Sequence, residues 1–356
     1  MAKIKKVVYI PIICLIISII QFCAINANNV RATTISQAEF VYELNSGRVI
    51  TSHNENKKLP MASTTKILTC ITAIENFDLN TLVEVKDNCV GIEGSSIYLK
   101  KGEHLTIKEL LYGLMLRSGN DCAECIASSI ISRKEFISLM NETARKIGAT
   151  NSNFTNPHGL HDENHYTTAK DLAIISGYAM KNQTFKDIVS TKSIEISNEF
   201  YDYKRHLVNK NKMLNNFDGA NGIKTGYTKK AGRCLVSSAS KNGMEVISVV
   251  LNSPNMWERS EELLNLSFNN YKMTEIVNVN NFNGEIFMDK NGNKFTMEVQ
   301  KNFVYPLTSE EINSLKLTIN EKNVEEFIKN PQKSGIFEVF ISNKLIFSQN
   351  IFTIYL

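Results

Sequence analysis

The sequence has little net charge for its length, which limits the partners it can have. Its 356 residues carry a formal charge of +4, and three of the positive charges are Lys3, Lys5 and Lys6. Those lysines lie in a segment, residues 1–27, that contains no acidic residue. Without them the charge falls from +4 to +1. Nucleic-acid binding needs a concentrated basic surface, so we expect no nucleic-acid partner.

Cysteine and histidine are too few and too scattered for a disulfide framework or a metal centre. The chain has seven cysteines and six histidines. The cysteines that lie beyond the first 27 residues are Cys70, Cys89, Cys122, Cys125 and Cys234. Their odd number and wide spacing argue against a set of disulfides. Cys122 and Cys125 form a Cys-x-x-Cys pair without a second pair or paired histidines nearby, so we interpret them as small buried side chains. We expect no metal and no cofactor.

The sequence also lacks an apolar run long enough to favour a membrane span. After the three lysines, the run at 7–20 is interrupted by Pro11, and Ile25-Asn26-Ala27 resembles a cleavage site. A spanning helix needs about 20 apolar residues. We therefore predict a signal peptide at 1–27 that is cleaved to leave an extracytoplasmic protein. A retained membrane anchor is the alternative.

The spacing of apolar residues changes along the chain and predicts its organisation. Strand-like runs occur at 39–44, 48–52, 222–227, 233–239 and 244–251. Helical spacing occurs at 63–75, 106–116, 121–131, 168–180 and 256–271. After residue 273, short alternating runs and Asn-Gly turns predominate. We predict an α+β fold, with an antiparallel sheet, flanking helices and a helical subdomain in 33–273, followed by a small β-rich domain in 277–356.

Ser63 and Lys66 stand three residues apart where a predicted helix begins. Side chains at i and i+3 share a helix face, so Lys66 can reach the Ser63 hydroxyl. A serine becomes a strong nucleophile when a base takes its proton. Burial and a nearby cation can lower the pKa of a lysine enough to make it that base. The alternative is a helix-capping serine beside a solvated lysine.

Two further motifs have the residue types that would complete such a site. Ser118-Gly119-Asn120 interrupts two predicted helices, where side chains can face a cleft, although simple helix termination is the alternative. Lys224-Thr225-Gly226 lies on a predicted strand. Its glycine allows another backbone to approach, and its lysine and hydroxyl suit a carboxylate. An edge strand ending in a turn is the alternative.

In this order, the three motifs resemble those of the low-molecular-mass penicillin-binding proteins, the serine-type D-alanyl-D-alanine carboxypeptidases. The resemblance extends over about residues 37–254 and includes the segments 156–160, 165–173, 222–228 and 231–235. It implies a β-lactamase/transpeptidase-like fold for the larger domain.

The resemblance also implies a catalytic role for each residue of the first two motifs. Ser63 attacks the carbonyl between two terminal D-alanines, and Lys66 takes its proton. Ser118 relays a proton to the leaving D-alanine, while Asn120 holds the peptide amide and orients Lys66. The backbone N–H groups of Ser63 and Tyr227 form an oxyanion hole. Water then releases the acyl-enzyme.

The implied substrate is a peptidoglycan stem peptide bound as an added strand along residues 224–227. Lys224 tunes the local field, Thr225 and Arg233 bind the terminal carboxylate, and Gly226 and Tyr227 complete the substrate strand. Penicillins and other β-lactams are the implied inhibitors. The resemblance leaves open vegetative or spore wall as substrate, and the balance of hydrolysis and transpeptidation.

Two rival functions use some of the same residues. A β-lactamase needs a carboxylate that activates the deacylating water, and between residues 120 and 224 only Glu163 is a candidate by position. A catalytically silent wall-binding protein would have no need of the intact serine, lysine and asparagine set. A histidine triad is disfavoured, and we assign His158 to the pocket wall. The family often ends in a membrane-lying amphipathic helix, whereas 336–355 alternates like a hairpin, which leaves membrane attachment open.

Overall fold

The computed structural model describes residues 36–197, 204–283, 286–288, 292, 294–321 and 335–355. The predicted signal peptide at 1–27 lies outside these residues. Among the helices described, none is long and apolar enough to cross a membrane.

The described chain mixes helices and strands, as predicted. The strands are β1 Ala38–Glu43, β2 Val49–His53, β3 Leu82–Glu84, β4 His104–Thr106, β5 Ser193–Ser197, β6 Lys204–Val208, β7 Ala220–Thr228, β8 Gly232–Lys241, β9 Met244–Leu251, β10 Lys272–Val277, β11 Ile286–Met288, β12 Lys294–Val299, β13 Phe303–Leu307, β14 Leu315–Glu321, β15 Gly335–Ile341 and β16 Lys344–Tyr355. The helices are α1 Lys66–Asn76, α2 Ile107–Leu116, α3 Asn120–Ser129, α4 Arg133–Lys146, α5 Ala169–Met180, α6 Gln183–Ser190, α7 Met213–Asn216, α8 Met256–Asn270, α9 Val279–Phe282 and α10 Ser309–Asn313.

The first body, formed by β1 to β9 and α1 to α8, is built around an antiparallel sheet in the order β2-β1-β9-β8-β7. Strand β1 pairs with β9, so the start of the described chain lies beside residues more than two hundred positions later. One face packs against α1 to α6 through a large apolar core. The other face packs against α8, where Leu263 and Leu264 are buried. Strand β7 is left at the edge of this sheet, which matters for the site.

The predicted helix at 63–75 is divided in two. Residues Ala62–Thr65 form a 3₁₀ turn, and α1 begins at Lys66. The hydroxyls of Thr64 and Thr65 donate to the carbonyls of Met61 and Ala62 at 2.7 and 2.8 Å. Such local side-chain bonds to the backbone compete with α-helical pairing. Ser63 therefore lies on a tight turn ahead of the α-helix.

The other predicted helices and strands of this body are confirmed within a few residues, but the prediction omitted the short strands β3 to β6, the one-turn helix α7 and two longer helices. One is α4, which has a capping box formed by Ser132 and Glu135. The other is α6, which Asn182 caps by accepting from the N–H of Phe185. Both signals are readable in the sequence, since a hydroxyl or amide side chain three residues before the bonded N–H is typical of a helix start.

The C-terminal part is β-rich, as predicted. Strands β11, β12, β16, β15 and β14 form one sheet in that order. The alternation of β15 buries Phe337, Val339 and Ile341. Strand β15 pairs with β16, so residues 335–355 form a hairpin, as the sequence predicted. The domain ranges 33–273 and 277–356 stay a prediction.

Arg48, the residue just before β2, joins the C-terminal part to the first body. Its guanidinium donates to the carbonyl of Pro306 at 2.6 Å and to Glu311 at 2.5 Å. It also lies 4.7 Å from the ring centre of Tyr271 and 5.2 Å from that of Tyr305. Hydrogen bonds and cation–π contact together hold β13 and α10 against the β1–β2 hairpin.

The cysteines of the described chain are buried and carry free thiols: Cys70, Cys89, Cys122, Cys125 and Cys234. Among the residues described here, no three His, Cys, Asp or Glu side chains group in a way that could hold a metal ion.

Candidate active site

Lys66 is completely buried and lies against Ser63. Its Nζ is 3.0 Å from Ser63 Oγ, 2.7 Å from Asn120 Oδ1 and 2.7 Å from the carbonyl oxygen of His158. The side chain has 0% exposure. Ser63 is partly accessible, so the arrangement places a reachable hydroxyl beside a desolvated amine.

The amide of Asn120 is fixed by the loop in front of it. Its Nδ2 donates to the carbonyl of Glu93 at 2.5 Å, which turns Oδ1 towards Lys66. Its backbone N–H donates to the carbonyl of Ser95 at 2.7 Å. A Cβ on Gly94 would lie 2.8 Å from Nδ2, in a backbone conformation with φ +93°. Only glycine lets this loop hold the amide so closely.

Asp121 braces the same loop from the start of α3. Its carboxylate accepts from the Ser96 hydroxyl at 2.5 Å and from the backbone N–H groups of Ile97 and Leu99 at 3.1 Å each. Asp121 is buried. Three bonds to one buried carboxylate make this wall of the cleft rigid.

The edge strand β7 approaches the 3₁₀ turn that carries Ser63 most closely at Gly226. A Cβ there would lie 2.9 Å from the carbonyl of Met61 and 3.1 Å and 3.2 Å from the N–H nitrogens of Ser63 and Thr64. Any side chain would force the strand and the turn apart. The glycine therefore brings the backbone of β7 next to the Ser63 N–H.

Three lysines shape the electrostatics of the cleft. Burial lowers the pKa of Lys66 well below its usual range, and the charges of Lys224 and Lys210 lower it further. Burial, with Lys210 second, lowers the pKa of Lys224 to about 7. Lys210 Nζ donates to Ser95 Oγ at 3.0 Å, which holds this lysine beside the loop that fixes Asn120. The arrangement favours a neutral Lys66, the form that can accept a proton.

The rest of the predicted set lies on the segments that carry Asn120 and Gly226 and on the neighbouring strand β8. Ser118, 4% exposed with φ +64°, stands between α2 and α3. Thr225 is half-buried and Tyr227 is 63% exposed. Arg233, opposite Tyr227 in the β7–β8 register, has its guanidinium 5.8 Å from the tyrosine ring. Its side chain is exposed.

The sequence reasoning missed several contributors to the site. His158 was assigned to the pocket wall, but its carbonyl touches Lys66. Lys210 sits in an Asn-Lys-Asn context that carries no signal. Glu163, the one candidate for a β-lactamase carboxylate, is 81% exposed in its side chain and pairs with His161 at 3.0 Å. For the loop that holds Asn120, the sequence does contain a signal: Gly94 is followed by Ser95 and Ser96, a composition typical of a loop.

Comparison with known proteins places these motifs in a family. Residues 26–255 match the D-alanyl-D-alanine carboxypeptidase family, peptidase family S11. DacF of Bacillus subtilis, a D-alanyl-D-alanine carboxypeptidase, is 31% identical over 312 residues, 84% of this chain and 80% of that protein. DacB2 of Mycobacterium tuberculosis, named as the same activity, is 32% identical over 65% of this chain and 82% of its own.

Solved structures agree on the fold. A Streptomyces DD-transpeptidase superposes with a TM-score of 0.62 and 31% identity, covering 66% of this chain and 98% of that one. The carboxypeptidase DacD of Francisella tularensis gives a TM-score of 0.73 at 24% identity, over 90% of this chain and 92% of its own, and supports the fold alone. The chain belongs to the serine peptidase family of D-alanyl-D-alanine carboxypeptidases.

Proposed function

We propose that the chain removes the terminal D-alanine from peptidoglycan stem peptides through an acyl-enzyme on Ser63. The observation that carries the proposal is the contact of 3.0 Å between Ser63 Oγ and the buried Nζ of Lys66. Lys66 in its neutral form takes the hydroxyl proton as Ser63 Oγ bonds to the scissile carbonyl carbon.

The developing oxyanion needs N–H donors near Ser63. The close approach of β7 at Gly226 supports a pocket between the N–H groups of Ser63 and Tyr227. Ser118 passes a proton to the amine of the leaving D-alanine. Water then attacks the acyl-ester and regenerates the serine.

The substrate binds as an extra strand on β7, in our proposal. This strand is the edge of the sheet, so its outer backbone groups are available to an extended peptide. Lys224 supplies positive charge at the bottom of the cleft, and Thr225 and Arg233 bind the terminal carboxylate. Asn120 holds the substrate amide. A β-lactam acylates the same serine because it presents a reactive carbonyl in place of the peptide.

The cell-wall substrate also gives the proposed location, outside the cytoplasmic membrane after removal of residues 1–27. The proposed catalytic segment is 33–273, because the proposed site residues lie between Ser63 and Arg233. A chain ending near Met273 should still fold and react with penicillin.

The test incubates the purified chain with a peptide ending in D-Ala-D-Ala, measures released D-alanine, and maps a fluorescent-penicillin adduct by mass spectrometry. Ser63→Ala should abolish both reactions. Ser138→Ala, on the exposed face of α4, is the control and should behave like the wild type. An adduct on Ser118, or undiminished labelling of the Ser63 variant, would overturn the assignment.

A further inference from the structure

The contacts of Lys66 determine which way its lone pair points. A neutral amine has two N–H donors and one lone pair, whereas the ammonium has three donors. The fixed Oδ1 of Asn120 and the carbonyl of His158 can only accept, and both lie 2.7 Å from Nζ. When these two acceptors take both N–H groups, the lone pair is left facing Ser63 Oγ.

A tight turn holds the carbonyl of His158 in place. Asn156 Oδ1 accepts from the backbone N–H groups of Gly159 at 2.7 Å and His158 at 3.3 Å, and its Nδ2 donates to the carbonyl of Leu160 at 3.0 Å. Gly159 has φ +88°, and a Cβ on it would lie 1.9 Å from the carbonyl of Ala62. The turn is therefore packed directly on the nucleophile segment.

The imidazole of His158 connects this turn to α3 and α4. Its Nδ1 accepts from the N–H of Leu160 at 3.1 Å, so the ring proton must lie on Nε2. Nε2 is 3.0 Å from Glu124 Oε1 and donates to it. Glu124 in turn accepts from Arg133 Nε and Nη2 at 2.8 and 2.9 Å. His158 and Glu124 are 7% and 6% exposed.

The charges around the ring keep this neutral tautomer at working pH. Burial lowers the pKa of His158, and Lys66 and Arg133 lower it too, while the carboxylate of Glu124 opposes them. Burial raises the pKa of Glu124, but hydrogen bonds from His158 and Arg133 outweigh it and bring the value to about 2. If Nδ1 were protonated, it would become a donor facing another donor, the N–H of Leu160, and this hydrogen bond would be lost.

We propose that His158, clamped by Glu124, is a positioning residue for the transfer of the serine proton. Its ring fixes the turn, the turn fixes its carbonyl, and the carbonyl directs the lone pair of Lys66 at Ser63 Oγ. The inference rests on the proposed role of Lys66 as base. It assigns a function to Glu124 and Arg133, two residues that lie outside all the sequence motifs.

The test compares the acylation rate constant with the dissociation constant of the first, non-covalent penicillin complex. His158→Ala should lower acylation by about 10–10²-fold, as expected for a misplaced catalytic group, and leave that dissociation constant unchanged. His158→Asn can still accept from the N–H of Leu160 and should recover part of the rate. Glu124→Gln, which keeps an acceptor for Nε2, should fall between wild type and His158→Ala.

A second background separates positioning from a merely structural effect. In Lys66→Arg, adding His158→Ala should lower the residual rate little further, because the histidine acts through Lys66. If the loss of rate from His158→Ala is as large in Lys66→Arg as in the wild type, the proposal is wrong. If His158→Ala does not fold, His158→Asn and Glu124→Gln supply the measurement, and wild-type acylation in both would overturn it as well.

The chain provides a matched control. His161 and Glu163 form another histidine–carboxylate pair at 3.0 Å, with side chains 34% and 81% exposed. His161→Ala should acylate like the wild type. A wild-type chain that is never acylated at Ser63 defeats the proposed function itself, whereas normal acylation of Ser63 in the His158 variants defeats only the positioning role.

Discussion

The two parts of the molecule bury different kinds of side chain. Among the residues described, every buried polar or charged residue lies between Ser36 and Ser267, and Lys66 and Lys224 are among them. In the C-terminal sheet, the buried residues are apolar, such as Val299, Phe337 and Val339. Burying a lysine is unfavourable unless it is paired. The difference indicates that the first body accepts a cost in stability to bury charged groups, whereas the described C-terminal sheet buries apolar side chains and avoids that cost.

After the loss of Ser63 itself, the largest expected effect comes from changing a buried lysine of the first body. Lys66→Arg keeps a cation but removes a group that can give up its proton at working pH. Acylation by fluorescent penicillin should fall by about 10²–10⁴-fold, the usual contribution of a general base. Lys316→Arg, the same substitution at an exposed position of β14, is the control. Near-normal acylation by the first variant would show that charge alone matters.

Glycine substitutions sharpen the contrast at the level of the backbone. Gly226→Ala should lower acylation by about 10²-fold, because its Cβ displaces β7 from the Ser63 turn. Gly292→Ala, in the C-terminal part, meets nothing within 4 Å although φ is +84°. It should lose some stability and no activity. Thermal melts measure the loss of stability, and acylation rates measure the loss of activity. Equal acylation by both variants would contradict the proposed oxyanion pocket.

A smaller effect is expected where the two parts meet. Arg48→Met removes the bonds to Pro306 and Glu311, and should lower the free energy of unfolding by about 1–2 kcal/mol, since hydrogen bonds to a partly exposed charged group are modest. Denaturant unfolding measures it. The acylation rate should stay the same. A large change in that rate would mean that the C-terminal part influences the site.

The smallest expected effect concerns pH. The pKa of Lys224 is about 7, so its charge is lost as pH rises through that value, and kcat/KM for a carboxylate-ended peptide should fall there. Lys210→Gln removes a neighbouring cation, which raises the pKa of Lys224 and moves the falling limb to higher pH. Lys229→Gln, an exposed lysine beyond β7, should leave the profile where it is. An unchanged pH profile in Lys210→Gln would show that the falling limb does not arise from the titration of Lys224.

The periodic features of the chain were predictable, and the long-range contacts were not. Strand β9 alternates too little to reveal its face, yet its β-branched run marked it as a strand. The spacing of Ser63 and Lys66 predicted their contact, because it depends on one helical turn. The 3₁₀ turn depends on two threonine hydroxyls and on Gly226, which arrives from residues far along the chain.

The same limit explains what was missed in the site. Asn120 was identified from its motif, but the carbonyls of Glu93 and Ser95 that fix it are backbone atoms and leave no compositional trace. The pair of His158 and Glu124 joins residues that are distant in sequence, and Glu124 lies in no motif. Residue type and spacing record local chemistry, whereas these contacts arise when separate elements pack.

The buried thiols of the first body can be used to measure local opening of the structure. An alkylating reagent reacts with a thiolate that it can reach, so labelling of Cys70, Cys122 or Cys234 requires the core to open, and burial raises the pKa of each. Cys89 differs, because its contact with Cys125 lowers its pKa to about 7. Timed alkylation followed by peptide mapping would therefore give the order in which the segments open. We expect the 3₁₀ turn at Asp87–Cys89 to be labelled first and the centre of the sheet last.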